Sequence, residues 1–107
     1  MLEKLEKIIE QLELVKAKDI AVYDINDRSP FYRYIVICSA NSRQSNAAIT
    51  KLKPVLENDI KNIEGKGGTW ILIDSFDTII HIFSEDNRKY YSLDLMLLGA
   101  TKLYPIA

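Results

Sequence analysis

Three side chains in the last third of the chain could do chemistry together. Asp74, Asp77 and His81 stand three and four residues apart. Two carboxylates and an imidazole can hold a divalent cation and use it on a phosphoryl group. The spacing argues against that use. Two-metal sites favour carboxylates at i,i+2 on a strand, where both point to one face, and the chain has no Asp-x-Asp. Asp74 and Asp77 bracket a short turn, as Asp24 and Asp27 bracket an earlier one, and Asp is a turn former. A lone His in an apolar strand is ordinarily a hydrogen-bonded structural residue. No metal, cofactor or catalytic residue is expected.

Two other candidates fall the same way. Cys38 is the one cysteine and is embedded in an apolar run. A nucleophilic thiol needs a base and an electropositive setting, so Cys38 reads as a buried small hydrophobe. Gly65-Lys66-Gly67-Gly68 is glycine-rich, but a phosphate loop needs GxxxxGK[ST] between a strand and a helix. Here the glycines follow a helical pattern and precede a strand.

The elements that must carry these residues follow from periodicity. Leu2, Leu5, Ile8, Ile9, Leu12 and Val15 give an amphipathic helix over 2–16. Residues 19–25 and 32–39 read as strands joined by the turn at Asn26–Pro30, and should pair antiparallel. A second helix is expected from Ser42 to about Ile63, on the spacing of Ala48, Leu52, Val55, Leu56, Ile60 and Ile63. Pro54 should bend it or break it near Lys53. Thr69–Asp74 and Thr78–Phe83 form a second hairpin. Ser84 caps a last helix that is apolar nearly all round, and Gly99 ends it.

The expected order is α-β-β-α-β-β-α, a mixed twisted sheet covered by helices, in a single α/β domain over 1–107. Ile35, Val36, Ile37, Ile71, Ile73, Ile80 and Ile82 should be buried. The stripe left over on the last helix could meet a second copy of the chain or another partner.

Composition narrows the function further. Fourteen Lys and Arg face fifteen Asp and Glu, a net charge of −1 that does not favour a general polyanion-binding surface. The longest apolar runs are well short of the ~20 residues a membrane helix needs. Charge is segregated along the chain. Arg28 to Leu56 holds five Lys or Arg (Arg28, Arg33, Arg43, Lys51, Lys53) and no acid, whereas Gly67 to Asn87 holds four acids and no base. An acidic hairpin flanked by Trp70, Phe76, Tyr90 and Tyr91 suits a basic protein partner, with aromatic anchors and steering carboxylates.

Four segments resemble the ribosomal silencing factor (RsfS/Iojap) family. They are Asp19-Ile20-Ala21-Val22-Tyr23-Asp24; Tyr34-Ile35-Val36-Ile37-Cys38-Ser39 with Ser42-Arg43-Gln44; Glu64-Gly65 with Trp70-Ile71-Leu72-Ile73-Asp74, Asp77 and Ile79-Ile80-His81-Ile82-Phe83; and Arg88-Lys89-Tyr90-Tyr91-Ser92-Leu93. The likeness runs from about Leu2 to Leu98. Phe76 stands where the family commonly has Gly, and Leu97 where it often has Trp.

The resemblance implies a nucleotidyltransferase-like fold without the catalytic residues. It implies a protein that binds large-subunit ribosomal protein fourteen, with ribosomal RNA nearby, blocks small-subunit joining and represses translation when nutrients are scarce. The charged start MLEKLEKIIEQLE has no apolar targeting stretch, so a cytoplasmic bacterial role is expected. The alternatives are a large-subunit assembly factor, an RNA-binding domain using the five cations, and a metal-dependent nucleotidyltransferase-like enzyme. The expected partner-binding residues are Trp70, Asp74, Phe76, Asp77, Tyr91 and Leu95.

Overall fold

The computed structural model describes every residue but Asp27 and Ala107, so Asp27's part in the first turn lies outside the described residues. Helix α1 (Glu3–Leu14) leads into strands β1 (Lys18–Asp24) and β2 (Tyr34–Ser39). Helix α2 (Ser42–Leu56) and a short 3-10 turn precede β3 (Ile60–Glu64), β4 (Trp70–Ser75) and β5 (Thr78–Phe83). Helices α3 (Glu85–Tyr91) and α4 (Leu93–Met96) lead to β6 (Thr101–Tyr104). The six strands form one sheet in the order β3-β4-β5-β2-β1-β6. Every pairing is antiparallel except β2 with β5.

The α/β class and both hairpins stand as read from sequence, but the sheet has two more strands than expected. Ile60 and Ile63 belong to β3, not to the second helix. A register shift between Ile60 and Asn62 lets residues three apart both face the sheet's core side, where Ile63 is paired with Ile73. That spacing imitates a helix. Strand β6 is a four-residue segment near the chain's end, too short to announce itself by alternation. Helix α2 runs unbroken through Pro54, which sits in its last turn, and no break falls at Lys53. The helix stops at Leu56, followed by Glu57 in the left-handed region at φ 46°.

Helices α1 and α2 cover one face of the sheet. Leu5, Ile8, Leu12, Leu52, Val36, Ile71, Ile73, Ile80 and Ile82 are fully buried there. Asn41 caps α2 reciprocally with Gln44, each side chain accepting from the other's backbone N–H at 2.8 and 2.9 Å. On the other face a smaller cluster of Ala21, Tyr23, Ile25, Ile37, Phe83 and Leu97 lies under the segment from α3 to β6. This second cover reaches β1, β2 and the end of β5, but leaves the β3–β4 side of that face open. Ile35 is only half-buried because it points to the thinly covered face.

Candidate functional site

Alternation along β4 fixes what the open face displays. Ile71, Ile73 and Ser75 turn into the core, so Trp70, Leu72 and Asp74 turn the other way. Antiparallel register sets Phe83 opposite Trp70, His81 opposite Leu72 and Ile79 opposite Asp74. On β3, Glu64 and Asn62 continue the same rows beside Leu72 and Asp74. The face is a band of aromatic and aliphatic side chains edged by two carboxylates.

Its fixed point is Trp70. The indole N–H donates to Nδ1 of His81 at 3.0 Å. The Trp70 ring lies 4.9 Å from Phe83 and 4.6 Å from Tyr91, centroid to centroid, and His81 stacks on Phe83 at 5.8 Å. Trp70 is still 36% exposed and Tyr91 46%. The indole is thus a large aromatic held by a hydrogen bond and two ring contacts, with about a third of its surface in water.

Burial pushes His81 down from 6.5 to about 4, so the imidazole is neutral near pH 7 and free to accept from Trp70. That occupies Nδ1, and among the described residues no group of three or more His, Cys, Asp or Glu is placed to hold a metal. The trio Asp74, Asp77 and His81 is not brought together. Asp77 turns its carboxylate to the Lys4 ammonium of α1 at 3.4 Å and to the Thr78 hydroxyl. Its carbonyl accepts from the N–H groups of Arg33 and Tyr34. Burial also pushes the Cys38 thiol up to about 12.

The six expected partner-binding residues therefore divide. Trp70 and Asp74 share the open face, and Tyr91 packs against Trp70. Phe76 sits at the hairpin tip, 61% exposed, with the Lys61 ammonium 5.3 Å from its ring centroid. Asp77 faces α1. Leu95 is exposed, but it does not follow Tyr91 by one turn of a single helix as expected. Ser92, at φ 52° and ψ 41°, is left-handed and separates α3 from α4.

Sequence reasoning missed Leu72, Ile79 and Tyr32, all half-buried. Burial raises the Tyr32 pKa first, and the Asp74 carboxylate beside its hydroxyl raises it further. The alternation of β4 was signal enough for Leu72, whereas Tyr32 lies in a loop with no period.

A second missed group lies at the base of α3. Arg88 makes a forked pair with Asp94, Nε to Oδ2 and Nη2 to Oδ1, each at 3.1 Å. Its Nη1 donates to the Asp19 carbonyl and, at 3.2 Å, to the Ser39 hydroxyl. The Tyr23 hydroxyl donates to Asp94 at 3.3 Å. Partial burial works to raise the Asp94 pKa, but the Arg88 fork outweighs it and holds the carboxyl below the usual range.

The cations of the RNA-binding alternative are scattered. Arg33 is paired with Asp24 at 3.1 Å. Arg43, Lys51 and Lys53 are exposed on α2, across the sheet from Trp70. No helix among the described residues is long and apolar enough to cross a membrane.

Comparison with known proteins places the family. Residues 1–102 match the profile of the family described as "Ribosomal silencing factor during starvation". The chain is 31% identical over 97 residues to ribosomal silencing factor RsfS of Halalkalibacterium halodurans, covering 86% of this chain and 83% of that one. It is 33% identical over 96 residues to the RsfS of Chromobacterium violaceum, covering 85% and 79%. Among solved structures, it superposes on a Chromobacterium violaceum protein with a TM-score of 0.83 at 25% identity, covering 98% of this chain and 92% of that one. By sequence profile and by relatives alike, the chain belongs to the ribosomal silencing factor family, RsfS.

Proposed function

We propose that this chain silences ribosomes by occupancy, not catalysis. It docks its open sheet face on a basic protein of the large subunit, taken to be ribosomal protein fourteen, and so keeps the small subunit from joining. It does this in the cytoplasm, as a single domain. The observation that carries the reading is the Trp70 site. An anchored, part-exposed aromatic cluster adjoins Asp74 and Glu64 on a face that the chain's own helices cover only in part. Aromatic anchors with acidic neighbours complement a positively charged, partly apolar protein surface.

The metal-enzyme alternative loses support because Asp77 faces α1 while Asp74 and His81 lie on the opposite side. Co-sedimentation with purified large subunits tests the docking. The parent should travel with free large subunits and not with joined ribosomes. Equal travel with both would overturn the reading.

A further inference from the structure

We propose that Arg88 is the positioning residue of the docking face. One guanidinium sets the angle between α3 and α4 and roots both on the sheet, so that Tyr91 and Leu95 are presented with Trp70 as one surface. The inference rests on the docking reading above and says how that surface is built.

The geometry supports it at each step. Helix α4 has four residues, too few to hold itself, and Ser92 breaks it from α3 in the left-handed region. Arg88 spans the break. It belongs to α3, and its fork closes on Asp94 of α4 at 3.1 Å on both arms. The remaining donor reaches the Asp19 carbonyl on β1 and the Ser39 hydroxyl on β2. Asp94 in turn accepts from Tyr23, also on β1. The two short helices are thus tied to each other and to two central strands through one planar group.

Arg88 stands one turn before Tyr91, so fixing its rotation fixes the Tyr91 ring 4.6 Å from Trp70. Asp94 immediately precedes Leu95, which is exposed. Arg88 itself has a side chain only 14% exposed and spends its donors inside the protein. Its effect on a partner must therefore pass through Tyr91 and Leu95. Lysine cannot replace it, because a single ammonium lacks the fork that meets both carboxylate oxygens and a third partner at once. Holding the surface ready before contact lowers the ordering cost of binding.

The test is a double-mutant cycle read by binding to purified large subunits. Arg88→Lys should weaken binding at least tenfold in the parent and less than threefold in a Tyr91→Ala/Leu95→Ala background, since the residues it positions are then gone. Trp70 is the only tryptophan, so its emission reads the site directly and should shift in Arg88→Lys while the far-ultraviolet circular dichroism stays. Tyr23→Phe removes a single hydrogen bond and should show the same non-additivity on a smaller scale, which keeps the test open if Arg88→Lys does not fold.

Parent-like affinity and emission in Arg88→Lys, or equal losses in both backgrounds, would overturn the proposal. If Trp70→Ala and Tyr91→Ala lose binding while Arg88→Lys does not, only the positioning role fails. If those two bind like the parent, the docking reading fails and takes this one with it.

Discussion

The indole N–H of Trp70 donates to Nδ1 of His81 across the β4–β5 hairpin, at 3.0 Å. The bond requires the neutral imidazole, and burial supplies it by pushing His81 down to about 4. A histidine that spacing alone could offer as a metal ligand is instead the acceptor that orients a part-exposed aromatic. The pair sits in a non-nearest row of the register, since Trp70 lies opposite Phe83 and Leu72 opposite His81. Diagonal neighbours on a sheet face are within reach of aromatic side chains.

Removing the anchors should therefore cost binding and spare the fold. Trp70→Ala and Tyr91→Ala are each expected to weaken large-subunit binding by about 2 kcal/mol or more, mostly through faster dissociation. Surface plasmon resonance on immobilised large subunits, with thermal melts as controls, checks both.

Acid should cost the protein stability over two separate pH windows. His81 has a lower pKa in the fold than its ordinary 6.5, so the unfolded chain takes the proton first as pH falls. The stability tied to neutral His81 is complete above about 6.5 and is lost between there and about 4, on the order of 3 kcal/mol in all. The Asp94 carboxyl lies below its ordinary 3.8, so its share is complete above about 3.8 and is lost as pH falls from there through the lower folded value. Urea melts of His81→Gln should show a flatter profile between pH 6.5 and 4 than the parent, with the loss at lower pH retained.

The two aspartates of the hairpin should separate by effect. Asp74 lies on the open face, and Asp74→Asn should slow association and flatten its salt dependence, as expected of a steering charge. Asp77 pairs with Lys4, and Asp77→Asn should instead lower stability by under ~1 kcal/mol, this being a part-exposed pair, with association unchanged. Stopped-flow association at two ionic strengths distinguishes them.

Phe76 occupies the first central position of its turn at φ 58°, where a glycine has no Cβ to strain. Phe76→Gly removes a penalty of about 1 kcal/mol and loses a surface contact with Lys61 worth about 0.5. A small net gain in melting stability is expected. Weaker ribosome binding in the same variant would place the hairpin tip inside the interface.

Most of the scaffold was legible because β4 and β5 are short apolar runs on either side of a tight turn and α1 keeps an apolar stripe of Leu5, Ile8, Ile9 and Leu12. Ser84 was readable as a cap, and its hydroxyl does accept from the Asn87 N–H. What stayed hidden has definite causes. The bulge in β3 disguised Ile60 and Ile63 as a helical continuation. The turn at Ser92 was masked because the apolar run continues through it on both sides. The orientation of Asp77 was not legible because sequence shows that a turn holds a carboxylate but not which side of the sheet receives it; its partner Lys4 lies more than seventy residues earlier. The Arg88–Asp94 fork is a local pair six residues apart, yet its reach to Asp19 and Ser39 exists only after folding.

The most direct test of the account is a subunit-joining assay. Purified large and small subunits are mixed with the parent, with Trp70→Ala or with Tyr91→Ala, and the joined fraction is read by light scattering and sucrose gradients. The parent is expected to block joining in proportion to its occupancy of large subunits, and both variants, folded by circular dichroism, to let joining proceed at matched concentration. Unimpaired joining at saturating parent, or an undiminished block by both variants, would contradict it.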